Sequence, residues 1–252
     1  MTAYQQPERT HRTPWFVFAA FALVVSLAAG VVSADAAGLG GITSRTLSAS
    51  RQIKAAQAPT VIAWDNFNAP NNTNLNGRTT TGGGKTWIAR RGTWTIQGNR
   101  ADTNSGDVAL VLDAGTPYAA VEATTFRGGT TFDIGVVTNM NSAGTQFLTA
   151  ELLSTNSGEL QVWKYDGGWT LLANVTNLYS GAATGWPAST TVRMSSSTGG
   201  VMTVTIGGAV VSTFTLSAAD RTTFQNATHQ FFGLYSYFDG VSVWDDVHVD
   251  SA

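Results

Sequence analysis

Residues 191–216 read TVRMSSSTGGVMTVTIGGAVVSTFTL, and this stretch decides the fold class. Val201 to Ile206 alternates apolar and polar side chains with a period of two, the period of a half-buried strand. Gly199 and Gly200 stand before it, Gly207 and Gly208 after it. Paired glycines accept the positive φ that tight hairpins demand, so both ends read as turns. Thr191 to Ser195 and Ala209 to Leu216 carry the alternation on either side. The spacing predicts three consecutive antiparallel strands, a meander.

The same rhythm extends outward. Phe132, Ile134 and Val136 fall on one strand face. Leu160 to Tyr165 alternates and runs into Asp166-Gly167-Gly168-Trp169, a hairpin signal. Near the C-terminus Val241, Val243, Val247 and Val249 share a face, interrupted by Asp245. Beyond residue 60 no window holds a helical period, and only Ser217 to Phe224 could form a turn of helix. Short strands with frequent turn signals indicate a sandwich or barrel. No repeat occurs at propeller or solenoid spacing.

Composition narrows the function. The chain has 252 residues, 43% of them apolar, enough for a sizeable core without staples. Charged residues make up 12%, against about 25% in an ordinary domain. The formal net charge is -2, so there is no basic surface for nucleic acid. The Arg90-Arg91 pair reads as a solvated strand end. With no cysteine, a disulfide framework and thiolate chemistry are excluded.

The N-terminus reads as an export signal. Arg9, His11 and Arg12 precede the uncharged run WFVFAAFALVVSLAAGVV at residues 15–32, and small residues follow at Ser33 and Ala34. Residues 1–34 are expected to be a signal peptide cleaved near Ala34. Uncut, the run is borderline as a membrane anchor, because a span needs roughly 20 apolar residues. Either way the remainder is expected outside the cytoplasm. Residues 35–60 are rich in small residues, with Leu39, Ile42 and Leu47 among them. They read as a flexible linker or as an arm that donates a strand to a neighbouring subunit.

Trp64-Asp65-Asn66-Phe67-Asn68, then Gly92 through Ala101 with Trp94 at its centre, resembles the opening of concanavalin A-like (laminin-G-like) jelly-roll domains. Gly158 through Tyr165, Gly233 through Tyr237 and Trp244 through Val249 continue the resemblance, which covers about residues 61–250. It implies an antiparallel two-sheet jelly roll whose first and last strands lie side by side, bringing Asp65-Asn66-Phe67 next to Asp246-Val247. The fold hosts lectins, glycosidases and inert modules, so it does not imply one function. The signal, the GLGGITS run at residues 38–44 and the Asp-Asn-Phe opening together look like a group of actinobacterial exported proteins. Their layout is similar to fibre subunits of the camelysin type.

Catalytic motifs are missing. Glycosidases need two carboxylates across the substrate, and laminarinase-type members of this fold alternate them on one strand. The chain has four glutamates, Glu8 in the signal and Glu122, Glu151 and Glu159 in the body, and none of the latter has an acid two or four residues on. Past the signal the histidines are His229 and His248, both read as surface residues, and no Gly-x-Ser-x-Gly elbow occurs. Gly82-Gly83-Gly84-Lys85-Thr86 lacks the first glycine and the strand-to-helix context of a phosphate loop. No catalytic residue is therefore assigned.

Two kinds of binding site remain. Calcium wants oxygens, and Asp245 and Asp246 are adjacent, with Asp65 expected beside them. Asp245, pointing with the valines, must pair, bind a cation or bond backbone amides at a bulge. Sugars stack on flat aromatic faces, and the body holds Trp64, Trp87, Trp94, Trp163, Trp169, Trp186 and Trp244. Trp163 and Tyr165 share a strand face opposite Leu160 and Val162, with Trp169 across the turn. They form an exposed platform or fill the layer between the sheets. Tyr235 and Tyr237, near Phe238, are a second candidate.

The expectation is an all-β, antiparallel two-sheet jelly-roll sandwich over residues 61–252, preceded by the signal or hydrophobic helix and a short linker. It is expected to be secreted or at the cell surface, catalytically inert, and to bind a polysaccharide or cell-wall glycan. The alternative is a self-assembling subunit of an extracellular fibre or matrix, joined through residues 38–50. A glycoside hydrolase ranks last.

Overall fold

The structure, a computed structural model, describes residues 59–103, 106–129, 132–154, 158–179, 186–237 and 243–252. The expectations for residues 1–34 and 35–58 lie outside the described residues, as does Phe238. Residues 58–252 form one compact unit.

In chain order the strands are β1 (Val61–Asp65), β2 (Ile88–Arg91), β3 (Trp94–Gln97), β4 (Arg100–Thr103), β5 (Val108–Asp113), β6 (Ala119–Phe126), β7 (Asp133–Met140) and β8 (Gln146–Leu153). They continue as β9 (Glu159–Asp166), β10 (Trp169–Val175), β11 (Ser189–Ser196), β12 (Val201–Ile206), β13 (Ala209–Thr215), β14 (Phe231–Ser236) and β15 (Val243–Ser251). A short helix, α1 (Ala218–Phe224), follows β13, capped by Ser217, whose side chain accepts from the Asp220 amide.

The strands form two antiparallel sheets, a β-sandwich. The first runs β13-β12-β11-β6-β15-β4-β3, with β1 also paired to β15; the second runs β10-β9-β8-β7-β14-β5-β2. The expected meander is β11-β12-β13, and β12 has the bounds that its glycines predict. Gly200, Gly207 and Gly208 take φ of 78°, 56° and 83°, conformations that glycine reaches without steric cost. The first and last strands are neighbours, with Asp65 opposite Val247.

The inner faces meet in one core. Met202, Val204 and Ile206 enter it from the first sheet, and Phe132, Ile134, Val136, Leu160 and Val162 from the second. Trp87, Trp94, Trp186 and Trp244 are fully buried there, and each indole N–H finds an acceptor, as buried tryptophans require. Trp186 donates to the Leu153 carbonyl at 2.8 Å and Trp244 to the Gly135 carbonyl at 3.0 Å. Trp94 and Trp244 pack with ring centroids 5.1 Å apart. Truncating any of these would cost about 3–5 kcal/mol. Four of the seven body tryptophans are thus structural, which leaves Trp64, Trp163 and Trp169 for other work.

One expectation fails in β15. Alternation put Val243 with Val247 and Val249 and put Asp245 among them. Instead Trp244 points into the core with Val247 and Val249, and Val243 faces outward. A bulge between Asp245 and His248, with Asp246 at φ 47°, inserts an extra residue and flips the phase.

Close strand packing makes a clean prediction. A Cβ added at Gly233 in β14 would lie 2.0 Å from the Leu110 carbonyl oxygen, backbone that cannot swing aside. One added at Gly168 in the β9–β10 turn meets nothing within 4 Å. Gly233→Ala is expected to lose about 1–3 kcal/mol in urea unfolding, while Gly168→Ala stays within about 0.5 kcal/mol of the parent. Equal midpoints for the two would contradict the packing.

Candidate functional site

The second sheet buries side chains on both faces, and its outer face carries the candidate site. Its inner face feeds the core. On the outer face, Ala109, Val111, Val137, Met140, Phe147, Phe231 and Tyr235 form a separate apolar cluster. Tyr165, Trp169 and Tyr237 pack against it, partly buried. Trp163 and Tyr165 therefore do not fill the layer between the sheets. Nor are they a fully exposed platform; they are the half-buried rim of a second small core.

Trp169 is the hub. Its ring centroid lies 4.9 Å from that of Tyr165, 5.6 Å from Phe147, 5.7 Å from Tyr237, 6.2 Å from Tyr235 and 6.3 Å from Trp163. Phe147 stacks beneath Tyr165 at 5.3 Å. The two aromatic candidates of the sequence are thus one cluster. Tyr235 is corrected within it: it is fully buried, so it supports the others and cannot touch a ligand. Its hydroxyl donates to Asp107 at 2.9 Å, and Asp107 pairs with Arg91 at 2.7 Å. Arg91 is no solvated strand end either: its guanidinium sits 5.5 Å from the Phe147 ring centroid and 5.4 Å from that of Tyr165. Such cation–π contacts hold the rings in place.

Beside the aromatics runs a polar stripe. Trp163 Nε1 donates to Gln161 at 2.9 Å, and Gln161 donates to Glu159 at 2.6 Å. On β8 the Thr149 hydroxyl donates to Glu151. Glu151 lies opposite Gln161 on β9 and Gly135 on β7, so Glu159 and Asp133 are its diagonal neighbours across the strands. A search along single strands could not see this carboxylate group. The three acids are 8%, 0% and 4% exposed for Asp133, Glu151 and Glu159. A glycosidic oxygen and its attacking water could not both reach carboxylates so enclosed.

The hairpin that presents Trp169 is anchored at its tip. Gln146 donates to Asp166 at 2.8 Å and lies 3.1 Å from His229 Nε2. His229, expected at the surface, is buried, with Asn226 and Thr228 on its other nitrogen. Burial holds its pKa below the usual 6.5, and the Asp166 charge opposes that only in part. The unfolded chain then binds more protons just below pH 6.5. Stability is expected to be full above that pH, to fall as the pH drops through it, and to level off below the folded pKa. Urea midpoints measured across that range should show the fall, and His229→Gln should flatten it. A parent that shows no fall would refute the assignment.

Asp65 and Asp245, two of the carboxylates offered for calcium, have other partners in the structure. Asp65 is fully buried. Its carboxylate accepts from the Phe67 amide at 2.9 Å, the Thr81 hydroxyl at 2.9 Å, Trp87 Nε1 at 2.6 Å and the Arg78 guanidinium. Those four donors occupy the four lone-pair sites of a carboxylate. Asp245 instead accepts from the Asp246 amide at 2.8 Å across the bulge, and Asp246 is exposed. Burial raises the Asp245 pKa, which opposes rather than invites a bare charge. Among the described residues no group of three acids or histidines could hold a metal ion.

No protein-family model matches the sequence, and no curated protein does either. Solved structures share the fold. The carbohydrate-binding module CBM66 from Bacillus subtilis superposes with a TM-score of 0.51 at 14% identity, covering 72% of this chain and all of that one. The GH43 protein BlXynB from Bacillus licheniformis gives 0.52 at 11% identity, covering 75% of this chain but only 39% of that one. At these identities the likeness is one of fold.

Proposed function

We propose that the protein is a non-catalytic glycan-binding module, exported by its N-terminal segment, which holds a polysaccharide or wall glycan on the outer face of the second sheet. The observation that carries the reading is the half-exposed rim of Trp163, Tyr165, Trp169 and Tyr237, set on buried Phe147 and Tyr235. A sugar ring presents an apolar C–H face and a polar edge. Rings held in fixed orientations meet the first at little entropic cost, because their rotamers are already locked. Asp166, exposed at the hairpin tip, and Arg91, partly exposed beside the Tyr165 ring, are placed to meet the second.

Two further points support it. The module CBM66, named for binding carbohydrate, is covered over its whole length by this fold. The carboxylates beside the rim, Asp133, Glu151 and Glu159, are buried rather than open to a substrate. The test is depletion of the purified protein from solution by insoluble cellulose, chitin, xylan and bacterial wall sacculi, with reducing ends assayed in the same tubes. Retention on at least one polymer without release of reducing ends is expected. Failure to bind all four, or steady release of sugar, would overturn the proposal.

A further inference from the structure

The opposite side of the sandwich carries a second constellation that the aromatic face does not use. On the outer face of the first sheet, Trp64, His248, Glu122 and Arg193 stand in one row across β1, β15, β6 and β11, register partners in turn. Asp250 stands beside the row, paired with Arg193 at 2.8 Å. His248, Glu122, Arg193 and Asp250, together with Pro59 and Val61, line an open groove of about 460 Å³. That is within the roughly 300–1,000 Å³ of small-ligand sites. Among the described residues, neither the Glu122 carboxylate nor the His248 imidazole is hydrogen-bonded to another side chain.

We propose that this groove is a second binding site and that it takes a neutral polyhydroxylated ring. The charges exclude an anion: Glu122 and Asp250 repel a phosphate, sulfate or carboxylate, and Arg193 is already paired with Asp250. What remains is a set of planar donors and acceptors side by side: a free carboxylate, an imidazole and a guanidinium. Adjacent hydroxyls of a ring, one donating and one accepting, match that set. Pro59 and the exposed Val61 form an apolar lip for the C–H face. The groove selects a polyol by its own chemistry and does not depend on the aromatic face being a glycan site. If both bind, one chain joins two polymer strands, and attachment to a surface gains from avidity.

The experiment uses the full chain labelled with 13C at histidine Cε1 and 15N at tryptophan Nε1, titrated in separate runs with cellobiose, xylobiose, maltose and chitobiose. His248 should move saturably with at least one sugar. His229, buried and bonded elsewhere, should stay still and report an intact fold. In Glu122→Ala the His248 movement should vanish, while any response of the Trp169 indole persists. A His248 signal that stays still with all four sugars overturns the groove, whatever Trp169 does. So does movement that survives Glu122→Ala combined with Arg193→Ala. A silent Trp169 beside a moving His248 counts against the aromatic face alone.

Discussion

Asp65→Asn is expected to destabilise the protein by about 3–5 kcal/mol, the cost of breaking a buried ion pair from one side. The residue has no solvent to fall back on. Its four donors come from the β1–β2 connection and from β2's flank: Phe67, Arg78, Thr81 and Trp87. Asparagine has the right size, but its amide group is a donor. It must face at least one of the N–H or O–H groups that now point at an acceptor. Arg78 is left with its charge largely buried and uncompensated. Trp87, one of the core indoles, loses the partner of its N–H. For a domain of this size each kcal/mol moves the melting temperature by about 2–4 °C, so a drop of roughly 6–20 °C is expected. Adding calcium or a chelator should leave both proteins where they are, since the carboxylate has no lone pair to spare. A near-neutral substitution, or a melting temperature of the parent that climbs with calcium, would show that the carboxylate serves a cation and not this ring of donors.

The same residue shows what can be read along the chain and what cannot. Asp65 beside Val247 follows from the order of the strands, and the structure has that pairing. That the carboxylate is spent inside depends on Arg78, Thr81 and Trp87, whose convergence no local pattern encodes. The β12 hairpins were legible because paired glycines mark turns and a period of two marks a face. The β15 bulge was not, because an inserted residue leaves the composition unchanged while moving Trp244 inward in place of Val243. In the second sheet, β7 and β8 bury almost every side chain. On β9 the alternation is plain, but Leu160 and Val162 on one face and Trp163 and Tyr165 on the other are all bulky and apolar, so it does not tell which face is inner. The aromatics of the site were therefore visible as residue types, and Phe147, which seats them, was not singled out. The carboxylate group of Asp133, Glu151 and Glu159 lies across three strands, and its acids are far apart in the sequence. Only register, a tertiary property, assembles it.

Trp169→Ala is expected to weaken glycan binding by about 2 kcal/mol or more, roughly thirty-fold, the loss typical of a central aromatic hot spot. Its position argues for the size. Five rings surround it, and the nearest, Tyr165, would lose its flank and gain freedom to turn. The variant removes both a contact surface and the ordering of its neighbours, so affinity falls by more than one stacked ring. Its cost to the fold is smaller than for Trp244→Ala, because Trp169 is only half-buried and lies outside the inter-sheet core. That asymmetry separates a binding role from a structural one. Measured by depletion on the polymer that retains the parent, Trp169→Ala should lose retention while its urea midpoint shifts modestly. Trp169→Phe, which keeps a flat ring, should recover much of the retention. Tyr237→Ala, at the rim and edge-on to Trp169 at 5.7 Å, should lose less. If Trp169→Ala binds as the parent does while its stability collapses, the outer aromatic cluster is a second core that seals the sheet. The ligand would then belong to the opposite face.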